Sequence, residues 1–306
     1  MDRAVRSLAG VCDVAFVRGR AAADDAAPDL LLEVAHGATT AAHFDSLRAA
    51  LQGDYDPGLR EFFFVNTDVG APELAVAVAK RVVEIQPRRS ALVLRCAVPR
   101  TFVDCNREID RDAVGRATRA GELTPGLPPW VTEPADRDLL LDRYFAYREV
   151  ADAAFEATCG RGGVGLCVHT YAPRSVDVAV DADVVASLRA AYSGDRARTW
   201  PLRPAVDLIT HDPDGRDLAH PVVASRAEAE FAAAGFDVVR NGTYSLHPST
   251  RAFDYATRHP GRTLCLEVRR DLLVDAFVPF VPLAPAPDAV ARAAAPLATA
   301  VLAGLR

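Results

Sequence analysis

The sequence predicts an α/β fold, a three-layer α/β/α sandwich on a mixed, largely parallel sheet. Two observations support this. Short aliphatic runs that read as buried strands alternate with longer segments of helical spacing, and no internal repeat or linker divides the 306 residues. Alternation of this kind places a largely parallel sheet between helices, and a chain of this length can bury a sizeable core. One domain over residues 1–306 is therefore expected, with 1–29 an N-terminal extension and 277–306 a C-terminal helix packed on the sheet.

In chain order, residues 11–17 read as a helix or a strand and 21–29 as an Ala/Asp loop. Residues 30–36 form a strand candidate closed by Gly37, and 41–51 have helical spacing. Residues 53–58 are a turn, and 62–65 read as a short buried strand. Residues 72–85 are a helix that Thr67 or Asp68 is placed to cap. The apolar run 91–98 ends at Pro99, as a buried strand leaving its sheet does. The passage 121–134 is too long for an ordinary connection, and such loops are often site-forming. A helix over 139–159 ends in glycines, and 164–169 is the next strand. Residues 178–192 begin strand-like and become helical from Ala182. Strands at 205–210 and 236–240 flank a helix at 222–234. Residues 241–260 read as a polar loop, 263–269 as a strand, 271–276 as a helix, and 288–305 as an Ala/Leu helix.

Composition narrows the function. A net charge of -6 with no Lys/Arg run disfavours nucleic acid and anionic membrane surfaces as partners. Cys12, Cys96, Cys105, Cys159, Cys167 and Cys265 show no C-x-x-C spacing and read as buried free thiols of a reducing compartment. The N-terminus lacks an uninterrupted apolar run, and no later stretch is expected to span a membrane. The expectation is a cytoplasmic protein with a small-molecule or peptide substrate.

In open α/β sheets the ligand crevice lies beyond the carboxyl ends of the strands. The residues gathered there are His36, Asp68, Arg100, Asn106, Arg107 and His169, with Glu267 inside the last strand. Two histidines and a carboxylate are a ligand set for catalytic zinc that leaves a position open. Arg100, Asn106 and Arg107 leave one strand end together, and guanidinium forks match carboxylates in geometry and charge. Each residue also has a plainer reading. His36 and His169 can be turn histidines, Asp68 a helix cap, and Glu267 the partner of Arg269 or Arg262. Arg100 and Arg107 can pair with Asp104, Glu108 or Asp110. The remaining histidines suit surface positions, with His247 alone near the crevice.

The order of these motifs resembles the N-formylglutamate amidohydrolase family, relatives of the zinc carboxypeptidases and aspartoacylase. The resemblance rests on His36-Gly37, Thr67-Asp68, Arg100 with Asp104, Asn106 and Arg107, Tyr144 with Tyr147, His169-Thr170, and a final block from Gly242 to Leu272. It covers about residues 30–276 and implies a zinc-dependent amidohydrolase on a phosphorylase/hydrolase-like sandwich. By position it implies that His36, Asp68 and His169 bind Zn2+, that Arg100 helps hold the oxyanion, that Asn106 and Arg107 hold a substrate carboxylate, and that Glu267 is the general base. Two other readings stand beside it: a carboxypeptidase-like or peptide-tailoring hydrolase, and a binding protein on the same fold without metal.

Overall fold

Alternate residues of the central strands belong to two different apolar cores, so helices must cover both faces of the sheet. Leu31, Leu92, Leu94, Cys167 and Cys265 face one core, and Leu30, Leu32, Val93, Leu166, Val168 and Leu266 face the other. The computed structural model describes residues 5–23 and 25–305. Met1–Ala4 at the start of the N-terminal extension, Asp24 in the loop 21–29, and Arg306 lie outside the described residues.

The elements, in order, are β1 (Cys12–Arg18), β2 (Leu30–Val34), α1 (Ala41–Ala50), α2 (Leu59–Asn66), α3 (Ala71–Ile85), β3 (Ser90–Cys96), α4 (Pro134–Thr158), β4 (Val164–Tyr171), α5 (Val184–Ala191), α6 (Arg196–Thr199), β5 (Val206–Ile209), α7 (Pro221–Ala233), β6 (Val238–Arg240), α8 (Arg251–Arg258), β7 (Thr263–Arg269) and α9 (Pro287–Gly304). The sheet order is β1-β3-β2-β4-β7-β5-β6. The pairs β3–β2, β2–β4, β4–β7 and β5–β6 are parallel, whereas β1–β3 and β7–β5 are antiparallel. The sheet is thus mixed and mostly parallel, with α3, α7 and α9 covering one face and α1, α2, α4, α5 and α8 the other.

Several local expectations change. The run at 62–65 is the last turn of α2, in which Phe62, Phe63, Phe64 and Val65 are all buried. A four-residue run that is buried throughout shows no amphipathic period, so periodicity alone cannot tell helix from strand there. Residues 241–260 contain α8, whose Thr250 side chain accepts the Phe253 N–H as a cap. The expected helix at 271–276 is one 3₁₀ turn, Arg270–Leu272. The strand-like start at 178 makes only an isolated bridge, Val180 with Thr118. The ambiguous segment 11–17 is the edge strand β1. Within residues 59–85, which hold α2 and α3, an 18-residue window reaches a mean hydropathy of 1.3, but 78% of that window is buried in this fold. His220 and His259, expected at the surface, are buried: the first caps α7, and the second stacks on Phe155. Helix α9 lies against α3 and α7 within their layer.

Candidate active site

The site forms beyond the carboxyl ends of β2, β4 and β7, where a parallel sheet leaves its crevice. His36 lies two residues past β2, in a turn that only glycine can complete. A Cβ on Gly37 would sit 2.5 Å from Arg95 Cγ and 2.9 Å from the Cys96 carbonyl oxygen. Asp68 lies between α2 and α3, and the preceding Thr67 hydroxyl donates to the Ala38 carbonyl at 2.6 Å, tying this connection to the His36 loop. The helix-cap reading of Thr67 and Asp68 is not what the fold uses. The N-cap of α3 is Gly70, at a left-handed φ of 87°, which frees the Asp68 carboxylate. His169 comes from β4 itself.

Asp68 Oδ2 lies 3.0 Å from His169 Nδ1 and 3.3 Å from His36 Nδ1. It also accepts the Thr170 N–H at 3.2 Å. The imidazole centroids are 5.0 Å apart, and one ligand atom from each of the three residues lies within 4.8 Å of the others. Ligands 2.0–2.1 Å from a tetrahedral cation are about 3.3 Å from one another, so this donor set fits a small divalent metal. His36 turns its other nitrogen, Nε2, to Asp104 Oδ1 at 2.7 Å, and such outer carboxylates fix the tautomer and aim of a ligating imidazole. Behind Asp68, Oδ1 is 3.4 Å from Arg270 Nη2 and 3.9 Å from Arg100 Nη1.

These contacts set the charges. Burial works to raise the Asp68 carboxyl, but the His36 charge and the His169 hydrogen bond hold it well below the usual range. Asp104 is likewise held low against its burial by His36, Arg100 and Arg107. Burial lowers His169, yet Asp68 outweighs it and pushes the imidazole up to about 9. Glu267 differs: burial dominates and raises its carboxyl to about 7, and Oε2 is buried without a hydrogen-bond partner among the described residues. The expected alternative partners lie elsewhere, Arg269 on Asp271 and Arg262 on the Gly162 carbonyl.

The loop after β3 sits beside this cluster. Arg100 donates to Asp104 Oδ2 at 3.0 Å, so part of the plain reading holds. Arg107 donates to the Thr124 carbonyl and hydroxyl, and Glu108 pairs with Arg251. The Asn106 amide lies 3.5 Å from His169 Nε2. Tyr144 on α4 anchors the loop by donating to the Arg107 carbonyl at 2.7 Å. Its neighbour Tyr147 donates at 2.5 Å to Glu33, a strand carboxyl that burial raises.

Two chambers open on the cluster. The larger, about 670 Å³, is lined by His36, Asn106, Arg107, His169, His247 and Glu267, among others. The smaller, about 230 Å³, is lined by Asp68, Asp104, Arg270 and an apolar group from α2, α5 and the loop before α4. Arg100, Tyr244 and Glu267 line both. The long segments 121–134 and 241–262 contribute to their walls, as loops of that length often do.

The fold thus brings together every residue gathered from the sequence, and adds some that the sequence reading left out. Asp104 was read as a possible ion-pair partner and as part of the Arg100–Arg107 motif, without a role of its own in the site. Arg270 and Tyr244 lie inside the block from Gly242 to Leu272 that carries the resemblance, but neither was assigned a role. Asp207 is paired in register with Glu267 across β5 and β7. It accepts the Gly242 and Thr243 N–H groups and so fixes the loop that presents Tyr244.

Comparison with known proteins gives a consistent picture. The family model described as N-formylglutamate amidohydrolase matches residues 28–274. The fold is similar to the crystal structure of N-formylglutamate amidohydrolase from Ralstonia eutropha JMP134, at 18% identity and a TM-score of 0.56, covering 94% of this chain and 95% of that one. A gene product of Agrobacterium tumefaciens is similar at 18% identity and a TM-score of 0.51, covering 97% of this chain and 96% of the other. No curated protein matches the sequence.

Proposed function

Because the chain belongs to the N-formylglutamate amidohydrolase family, a family of hydrolases, we propose that it cleaves the amide bond of an N-acyl amino acid with the help of a zinc ion. The observation that carries this reading is the convergence of His36, Asp68 and His169 on one point, with the unpaired Glu267 carboxyl on the same rung of the sheet as His169. His36, Asp68 and His169 would hold the metal, and their nitrogen and oxygen donors suit zinc. When bound, a zinc ion would supply a Lewis acid for the amide carbonyl and make water a stronger nucleophile at neutral pH.

The side chains of the protein supply the rest. Arg107 binds the carboxylate of the substrate from the wall of the larger chamber, with two of its nitrogens braced on Thr124, and the Asn106 amide lies beside it. Holding that carboxylate fixes the position of the scissile bond, which lowers the entropic part of the barrier. Glu267 accepts a proton from the attacking water and returns it to the departing amine, and a base that titrates near 7 is suited to both transfers. Arg100, held by Asp104, faces the developing oxyanion, where a preorganised donor is most effective. Asp104 also keeps the His36 ring in the orientation that points Nδ1 at the cluster.

A peptide with a free C-terminus is a second candidate substrate, supported by the 670 Å³ of the larger chamber. An Asp68 carboxylate pointing away from the histidines would have favoured the metal-free binding reading over the hydrolase, and the carboxylate points at both. Six buried free cysteines support a reducing, cytoplasmic setting. Metal analysis of the purified protein, then assay of N-acyl amino acids and short peptides with and without a chelator, tests the proposal. Full activity without bound metal would overturn it.

A further inference from the structure

His247 lines the larger chamber together with Asn106, Arg107 and Thr250, and no step of the proposed mechanism uses it. The backbone sets it beside Arg107. Glu108 donates its N–H to the Ser249 carbonyl at 2.9 Å and Arg251 donates to the Asn106 carbonyl at 3.2 Å, so Arg107 and Thr250 face each other across an isolated antiparallel bridge. A pair whose bonds lie on either side of it is the closely spaced kind, with Cα atoms about 4.5 Å apart. His247 begins the turn that leads into this bridge. Its carbonyl accepts the Thr250 N–H at 2.9 Å and the Thr250 hydroxyl at 2.8 Å, and the Leu246 N–H before it is held by the His211 carbonyl at 2.8 Å.

The two ring nitrogens of His247 do different things. Nδ1 accepts the Ser249 backbone N–H at 3.1 Å and lies 2.8 Å from the Ser249 hydroxyl. A ring nitrogen that accepts carries no proton, so the proton of the neutral imidazole is on Nε2. That N–H has no protein partner among the described residues and is not one of their buried unsatisfied atoms, so it is open to solvent. The turn alone would be served by asparagine, whose side-chain oxygen can take the same backbone N–H; the imidazole adds an outward donor. Arg107 is in a matching state. Its Nε and Nη2 are engaged by Thr124, which leaves Nη1 for a ligand.

We infer that His247 is a second donor to the substrate carboxylate held by Arg107, one oxygen taking the Nη1 N–H and the other the Nε2 N–H. This rests on the proposed amidohydrolase reading and adds a residue to its carboxylate subsite. Two donors on one carboxylate fix its plane as well as its position, and so orient the scissile bond rather than only tethering it. The same pair discriminates against a carboxamide, whose NH2 would face one of the two donors and leave it unpaired.

Two variants separate the turn from the donor. His247→Asn keeps an acceptor for the Ser249 N–H and removes the outward N–H, whereas His247→Gln carries an N–H out to the Nε2 position and gives up the acceptor beside the backbone. On the zinc-loaded enzyme with the N-acetyl derivatives of L-glutamate and L-alanine, His247→Asn is expected to raise KM about tenfold, with little change in kcat or in melting temperature. His247→Gln should stay within about threefold of the native KM while melting at a lower temperature. The native preference for N-acetyl-L-alanine over N-acetyl-L-alaninamide should fall about tenfold in His247→Asn, and by less when Arg107 is already alanine, because the two donors act on one group. Calorimetric titration of N-acetyl-L-glutamate into the Glu267→Gln enzyme, with and without His247→Asn, reads the same loss as a weaker Kd without turnover. If His247→Asn leaves KM and Kd unchanged while Arg107→Ala raises both, the inference is overturned and the proposed function stands. A native enzyme that neither binds nor hydrolyses any of these derivatives would overturn both.

Discussion

His169 and Glu267 occupy the same rung of the sheet, one on β4 and one on β7 in parallel register. Their neighbours Cys167 and Cys265 both face the core under α4, so the two side chains leave the same face of the sheet. A strand pair fixes this spacing more firmly than two loops would. It also explains why an acid can remain buried and unpaired inside an otherwise apolar strand. In the proposed mechanism Glu267 is held where its proton is needed, at the expense of local stability.

Glu267→Gln is expected to retain metal and fold while lowering kcat by about 10²–10⁴-fold, the range usual for removal of a general base. For the native enzyme the acid limb of kcat/KM should fall at or below about 7, because a cation in the cluster favours the carboxylate. Steady-state rates over pH 4–9, together with metal content, check this. A variant with an unchanged rate would remove Glu267 from the mechanism.

Asp104→Asn keeps the size of the side chain but weakens its hold on His36 Nε2. Metal affinity should fall about 10–100-fold, and the metal-free protein should melt at a lower temperature as well, because Arg100 and His36 lose a buried carboxylate partner. Competition against a chelator of known affinity measures it, and unchanged affinity would place Asp104 outside the metal's support.

Arg107→Ala is expected to raise KM by roughly 10–100-fold, the equivalent of a charge-assisted hydrogen bond of about 1.5–3 kcal/mol, with a smaller change in kcat. Initial rates on one N-acyl amino acid and on its carboxamide analogue separate the cases. The native enzyme should discriminate between the two, and the variant should not.

Glu33, outside the proposed ligand set, gives a stability prediction. Burial raises its folded-state carboxyl above the ordinary 4.5, so the protonated form is the one the fold accommodates. Its contribution is fully present below pH 4.5 and is lost as pH rises through the raised value. Glu33→Gln, which keeps an acceptor for Tyr147, should therefore melt at a higher temperature than the native chain at pH 8, and the difference should shrink towards pH 4.5. Thermal melts across that window decide it.

Arg251 is the largest fully buried side chain, and it joins the loop after β3 to α4 and α8 through Glu108, Asp152 and Asp254. Arg251→Ala removes a buried guanidinium from a network whose carboxylates keep Arg148 and Arg258 as partners, and is expected to cost about 1.5–3 kcal/mol. Denaturant unfolding measures it directly. A cost under about 1 kcal/mol would mean that the cluster is solvated.

The alternation of strands and helices was legible in the sequence because each strand is a short apolar run with its own turn chemistry. The residues that converge on the crevice were legible too, because polar groups at strand ends or inside an apolar strand stand out against their surroundings. The local errors came where that contrast was missing. The Phe62–Val65 stretch is apolar on every side, so helix and strand look alike in it, and α8 carries polar residues that read as loop.

The sequence by itself therefore determined the fold class and the list of groups with chemistry to offer, since both depend on local pattern and residue type. Tertiary structure alone decided which groups touch. That Asp68 faces two histidines rather than capping α3, that Asp104 holds His36 Nε2, and that Glu267 Oε2 is buried without a hydrogen-bond partner among the described residues are consequences of strand register and loop packing. Those relationships join residues 32 to 101 positions apart, a separation at which no local preference acts.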